Sequence, residues 1–162
     1  MFGFLKKKEK SQGSMMMACA DGKVIPMSEA NDPVFSSCAL GNGVIICPTG
    51  NLTVAPADGT VTVTMDGSDH AVGLELESGI EILIHIGVDT VNLKGEGFES
   101  FVKTGDTVKA GQKLIQFDRE AMEAKGYCME VMQIVMDSEE ASRIQYITGM
   151  DAKAGETVVA SW

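Results

Sequence analysis

Two histidines, His70 and His85, make up the whole imidazole complement of this chain. A neutral imidazole can attack phosphorus, move protons or bind a metal, and two close together can share one small anion. Both lie in Ser68-Asp69-His70-Ala71-Val72-Gly73-Leu74-Glu75-Leu76-Glu77-Ser78-Gly79-Ile80-Glu81-Ile82-Leu83-Ile84-His85-Ile86-Gly87, two runs rich in β-branched and apolar residues about a Ser-Gly turn signal. With Ser78-Gly79 as a two-residue hairpin loop, Val72 faces His85, Ala71 faces Ile86, and His70 is diagonal to His85, about 7–8 Å away along the backbone. Alternation then sets His70, Val72, Leu74 and Leu76 on one face with Glu81, Leu83 and His85, and leaves Ile80, Ile82, Ile84 and Ile86 as the core row. Two imidazoles among Val and Leu suit a docking patch with a reactive centre; two ordinary half-buried histidines are the alternative.

The elements that must hold this pair are strands. From Ala18 onward, short runs of Val, Ile, Leu and Thr alternate with Gly, Pro, Asp and Asn, which predicts an all-β, antiparallel sandwich or barrel with one or two short helices. Ile45-Ile46-Cys47, Leu52-Thr53-Val54, Thr60 to Thr64, the hairpin, Lys113 to Phe117 and Thr157-Val158-Val159 read as strands. Arg119 to Lys125 reads as a helix with Asp118 as N-cap and Gly126 as its stop, and a shorter helix is expected over Ser138 to Ile144. Ala20-Asp21-Gly22-Lys23-Val24 recurs as Ala57-Asp58-Gly59-Thr60-Val61, and Lys109-Ala110-Gly111-Gln112-Lys113-Leu114 as Lys153-Ala154-Gly155-Glu156-Thr157-Val158. These echoes are short, but they favour one pseudo-repeated domain over two.

Length and composition agree: 162 residues, 44% hydrophobic and 22% charged, suit one globular domain over residues 18–162. Residues 1–17 read as a flexible tail. Its Met1-Phe2-Gly3-Phe4-Leu5-Lys6-Lys7-Lys8 start is too short in apolar residues for a signal peptide, and is either solvated or a weak anchor on anionic lipid. A net charge of −10 argues against nucleic acid and for a basic protein partner. No run is long enough to span a membrane. Cys19, Cys38, Cys47 and Cys128 lack C-x-x-C spacing, so reduced thiols in a cytoplasm are expected.

No G-x-x-x-x-G-K-[ST] loop, G-x-S-x-G elbow or H-E-x-x-H helix is present. Ile84-His85-Ile86-Gly87-Val88-Asp89-Thr90-Val91-Asn92-Leu93-Lys94-Gly95-Glu96-Gly97-Phe98 does match a known pattern. So do Cys47-Pro48-Thr49-Gly50-Asn51, Val54-Ala55-Pro56-Ala57-Asp58-Gly59, Val108-Lys109-Ala110-Gly111 and Phe117-Asp118. Together they resemble the glucose-type enzyme IIA proteins of the bacterial sugar phosphotransferase system, over most of the chain after the tail. The resemblance implies a β-sandwich and a cytoplasmic phosphocarrier. Such a protein takes a phosphoryl group from the phosphohistidine of HPr and passes it to a cysteine of the IIB domain of a sugar permease. It implies His85 as the phosphorylated residue, His70 as its partner, and Ser68 as either a hydrogen-bond relay to His70 or a solvated turn hydroxyl. Val34, Phe35, Leu40, Leu83 and Val91 correspond to apolar residues that dock partners, and Asp89 either orients a partner arginine or caps a turn. Ala39 and Gly73 stand where family members often carry bulkier residues.

The chemistry needs no cofactor. Phosphoryl transfer depends on positioning and on stabilising the equatorial oxygens, which a second imidazole and backbone amides supply. A biotinyl or lipoyl carrier domain shares such turns but needs a lysine displayed at a hairpin tip, and no convincing tip is present. A lysostaphin-like zinc hydrolase needs three protein ligands, and two histidines suffice only for adventitious zinc.

Overall fold

The computed structural model describes residues 14–162. Its strands are β1 (Met15–Met17), β2 (Gly22–Pro26), β3 (Asn42–Pro48), β4 (Leu52–Val54), β5 (Gly59–Thr64), β6 (Ala71–Leu76) and β7 (Glu81–Ile86) in the first half. The second half adds β8 (Phe98–Ser100), β9 (Thr107–Val108), β10 (Lys113–Phe117), β11 (Val131–Val135), β12 (Gln145–Tyr146), β13 (Asp151–Ala152) and β14 (Val158–Ser161). Two short α-helices, α1 (Pro33–Ser36) and α2 (Arg119–Ala124), interrupt them.

An eight-stranded sheet of order β13-β2-β3-β11-β7-β6-β5-β9 is accompanied by three-stranded sheets β4-β10-β8 and β1-β14-β12, and the paired strands are antiparallel. The all-β, short-helix architecture expected from the sequence is the one found. Ile82, Ile84 and Ile86 of β7 are fully buried, as the isoleucine row requires, beside Val72 and Leu74 of β6, Val131 of β11, and Leu114, Ile115 and Phe117 of β10. A second, smaller cluster of Met27, Phe35, Ile45, Met132 and Ile134 forms separately. It carries the site.

The echoed turns meet crosswise. Asp21 Oδ1 accepts the Ala154 N–H at 2.7 Å, and Asp58 Oδ1 accepts the Ala110 N–H at 2.8 Å. Gly155 N–H donates to the Ala18 carbonyl as Gly111 N–H donates to that of Ala55. Each Ala-Asp-Gly turn therefore caps a Lys-Ala-Gly turn, and the repeat is a packing device that ties the two ends of the domain to each other and its two middle segments to each other.

Four local expectations need correction. The hairpin loop has three residues, Glu77-Ser78-Gly79: Leu76 N–H donates to the Ile80 carbonyl, Gly79 N–H to that of Leu76, and Gly79 has φ +94°. A turn closed by a left-handed glycine is the usual three-residue hairpin. The register consequently pairs Ala71, not Val72, with His85. One residue of slip inverts a strand, so Val72, Leu74 and Leu76 join the isoleucines in the core, while Ala71, Gly73 and Glu75 share the face of Leu83 and His85. Met15–Met17 is not tail: it pairs with β14, Met16 is buried, and Gln133 Nε2 donates to the Met17 carbonyl at 3.0 Å. Residues 1–13, with the tail and lipid-anchor expectations for them, lie outside the described residues. The helix expected over Ser138 to Ile144 is only a 3-10 turn at Ala141–Arg143.

The helix over Arg119 to Lys125 forms as α2, with Asp118 accepting from Ala121 N–H. Among the described residues no helix is long and apolar enough to cross a membrane, and all four cysteines are unbridged.

Candidate functional site

His85 sits near the end of β7 between two strands, opposite Met132 of β11 and Ala71 of β6. A methyl group on one side and an unbranched thioether on the other leave room above the ring. His70 reaches that room because it precedes β6. By strand alternation it would point inward with Val72, but the chain turns at Met65–Asp69, where Asp69 takes a left-handed φ of +50°, and His70 escapes the pleat. Its carbonyl still accepts the Ile86 N–H at 2.9 Å. The two imidazole centroids are 4.9 Å apart and nearly perpendicular, so the structure brings the predicted pair together.

Ser68 is a direct partner of His70. Its Oγ lies 2.9 Å from His70 Nδ1 and 3.3 Å from the Met65 carbonyl, and its single proton sets the tautomer of the ring. If the hydroxyl donates to Met65, it accepts from Nδ1–H, and a neutral His70 has a bare Nε2. If it donates to Nδ1, the proton sits on Nε2. Either way Nδ1 is committed, and Nε2 is the ring nitrogen left for another group.

His85 is asymmetric in the opposite sense to a free histidine. Its Nδ1 is sealed from solvent, which leaves the Nε2 edge for chemistry. Burial, with His70 beside it, pushes the His85 pKa down to about 4, against the smaller opposing pulls of the Gly87 backbone and the Asp32 carboxylate. Burial also lowers that of His70, which is only 7% exposed, partly offset by Asp69. Both rings are therefore neutral near pH 7, the state in which an imidazole is a nucleophile.

Phe35 covers the other side of His85, with ring centroids 5.0 Å apart. Its helix α1 exists because Asp32 caps it, accepting from Val34 N–H at 2.8 Å, and Pro33 occupies the first helical turn. Asp32 was not among the residues singled out from sequence, although Asp-Pro ahead of an apolar pair is the signal that would have found it. Phe35 and Leu83 pack in the smaller apolar cluster with Cys38 and Val88. Val34 and Val91 stand 52% and 50% exposed and Leu40 39%. Asp89 is exposed with φ +60°, and its side chain makes no cap, so the turn-capping alternative does not describe it.

Behind His85, Gly87 takes φ +78° where an added Cβ would fall 2.5 Å from Thr90 Cγ2; only glycine fits this turn. Its N–H donates to the Glu130 carbonyl and that of Val88 to the Cys128 carbonyl. Gly73 is less tightly held: a Cβ there would meet the side chains of Val63 and Thr62 at 3.0–3.2 Å, beside the β5 irregularity. For a metal, His70 and His85 offer two ligands, and among the described residues no group of three or more His, Cys, Asp or Glu gathers.

Similarity to known proteins extends over most of the chain. The family model for the phosphoenolpyruvate-dependent sugar phosphotransferase system, EIIA 1, matches residues 14–141. The chain is 36% identical over 156 residues to the PTS system glucose-specific EIIA component of Oceanobacillus iheyensis, covering 96% of this chain and 94% of that protein. It is 44% identical over 139 residues to the PTS system mannose-specific EIIBCA component of Corynebacterium glutamicum, covering 86% of this chain. The chain spans only 20% of the length of that relative. Among solved structures, the glucose permease IIA from Mycoplasma capricolum superposes with a TM-score of 0.82 at 35% identity, covering 92% of this chain and 95% of that one.

The site makes a pH prediction. A histidine whose folded pKa is depressed binds protons more weakly in the native than in the unfolded state, so stability is lost as pH falls from about 6.5 toward about 4. His85 contributes a loss on the order of 3 kcal/mol across that window. NMR titration of the imidazole carbons should show His85 ionising near pH 4, and chemical denaturation of His85→Gln should show a shallower decline below pH 6.5. A midpoint near 6.5 for His85 would contradict the buried-nucleophile geometry.

Proposed function

The chain belongs to the EIIA type 1 family of the phosphoenolpyruvate-dependent sugar phosphotransferase system, and we propose that His85 is its phosphoryl-carrying residue. The supporting observation is the arrangement of the two rings: a neutral His85 with Nδ1 buried and His70 at 4.9 Å. Nε2 of His85 attacks phosphorus on the phosphohistidine of HPr; the new N–P bond forms as the donor's N–P bond breaks, and the donor imidazole leaves. In the second step a cysteine thiolate of a IIB domain attacks phosphorus and His85 leaves as neutral imidazole. A phosphoramidate is stable enough to hold the group and reactive enough to give it up.

His70 supplies the charge. A phosphoryl dianion arriving on His85 favours the imidazolium form of His70, which then donates through Nε2–H to the equatorial oxygens and through Nδ1–H to Ser68. Ser68 thus accepts in the loaded state, and its single proton is free to turn back to Met65. Apolar Val34, Phe35, Leu40, Leu83 and Val91 form the docking rim, which excludes water from the phosphohistidine. Asp32 and Asp89 add carboxylates beside it, and with a chain charge of −10 they suit a partner whose reactive residue is ringed by basic groups. The proposed setting is cytoplasmic. Relatives named for glucose and for mannose share this domain, which supports a carrier step common to different sugars.

Two experiments test the reading. Incubated with phospho-HPr, His85→Ala should take up no acid-labile phosphate. His70→Gln should take it up but pass it to IIB roughly a hundredfold more slowly, because a neutral amide cannot become a cation. Phosphate on His85→Ala would overturn the assignment, and equal onward rates would remove His70 from the mechanism. Separately, Leu40→Asp should weaken binding of both HPr and IIB by more than about tenfold with a near-wild-type melt, since an unpaired charge in an interface costs on the order of a few kcal/mol. Unchanged affinity for both partners would place the docking face elsewhere.

A further inference from the structure

Glu130 is 9% exposed, and among the described residues it makes no salt bridge. A carboxylate so buried needs strong donors. Both come from one residue: Asn31 N–H donates to Oε1 at 3.0 Å and Asn31 Nδ2–H to Oε2 at 2.9 Å. Asn31 is itself exposed and sits one residue before Asp32, the cap of α1 and the carboxylate that acts on His85. Three residues beyond Asp32 is Phe35, against the His85 ring.

The main chain of the same residue serves the other half of the site. The Glu130 carbonyl holds Gly87 N–H at 2.8 Å, and two residues earlier the Cys128 carbonyl holds Val88 N–H at 2.9 Å. Glu130 therefore touches both walls: its side chain fixes the segment with Asp32 and Phe35, and its backbone fixes the turn that follows His85. The pair closes a separation of 99 residues, so no local constraint replaces it.

Resting on the carrier reading above, we propose that Glu130 is a positioning residue for phosphoryl transfer, acting through Asn31 to register the Asp32–Ser36 lip, with its helix cap and its aromatic ring, against His85. Losing the clamp leaves the nucleophile intact and lets the lip shift. Donor docking then suffers more than the chemical step.

The complementarity of the pair provides the test. Glu130→Ala removes both acceptors, whereas in Glu130→Gln the Asn31 amide turns over, its oxygen accepts from the introduced NH2 group and both bonds are kept. In Asn31→Asp two carboxylates oppose each other. Combining Asn31→Asp with Glu130→Gln restores both bonds: the oxygen of the introduced amide accepts from the main-chain N–H at position 31, and its NH2 group donates to the introduced carboxylate. In the full-length protein Glu130→Gln should stay near wild type, while Glu130→Ala and Asn31→Asp should each raise the KM for phospho-HPr about tenfold, with kcat changed by less than about threefold. Those two should also move the His85 ring-proton resonances as Phe35 shifts, and the double variant should bring both back toward wild type. Glu130→Ala and Asn31→Asp variants that lower only the melting temperature, or a double variant no better than Asn31→Asp, would overturn the proposal. The ring resonances are read without any transfer reaction. If wild type took no phosphate from HPr, the carrier reading would fall, and these shifts would still decide whether Glu130 positions the lip.

Discussion

As the proposed phosphoryl carrier, His85 has to be dry enough to stay a neutral base and open enough to be reached by another protein, and most of the structure follows from those opposed demands. Burial meets the first: it lowers the pKa of His85 to about 4 and seals Nδ1. In the proposed carrier role it would also keep water from a phosphoramidate on the ring. The second is met by where the ring stands, late in a central strand, with small Ala71 on one side and His70 projecting from outside the pleat. Were the ring deeper, no partner could reach it; were it on a loop, its neutral state would depend on pH within the physiological range.

The sheet is built to hold that position rigidly. β7 lies between β11 and β6, and its alternate isoleucines anchor it to the main core, so the outward residues Leu83 and His85 are fixed by the inward ones. The smaller cluster of Met27, Phe35, Ile45, Met132 and Ile134 then makes a second, shallow core beside the His85 ring. The crosswise caps of Asp21 and Asp58 are remote in sequence from the histidines; they stabilise the sandwich that carries the site. Of the proposed docking rim, Val34, Leu40 and Val91 are exposed, while Phe35, against the His85 ring, is buried, as is His70.

Much of this was legible in the sequence because strands advertise themselves by alternation and turns by glycine and aspartate. The isoleucine row, the Asp118 cap and the histidine pair were each readable from residue type and spacing. The register was not, because Glu77-Ser78-Gly79 offers both a two-residue and a three-residue closure, and only the left-handed Gly79 decides between them. The pairing of His70 with His85 survived that error for a reason alternation does not capture: Asp69 takes the chain out of the strand. Met15–Met17 read as tail because three methionines carry little β signal, and its pairing with β14 spans almost the whole chain. Glu130 and Asn31 were invisible for the same reason, since a contact across 99 residues leaves no local pattern.

If burial of one ring nitrogen directs phosphoryl chemistry to the other, the phosphorus must be found on the nitrogen left open. The most direct measurement is heteronuclear NMR of the protein phosphorylated by phospho-HPr, with 15N-labelled histidine and detection of phosphorus–nitrogen coupling. Coupling is expected at Nε2 of His85 alone, with Nδ1 protonated and His70 unmodified. Coupling at Nδ1 of His85, or at either nitrogen of His70, would contradict it.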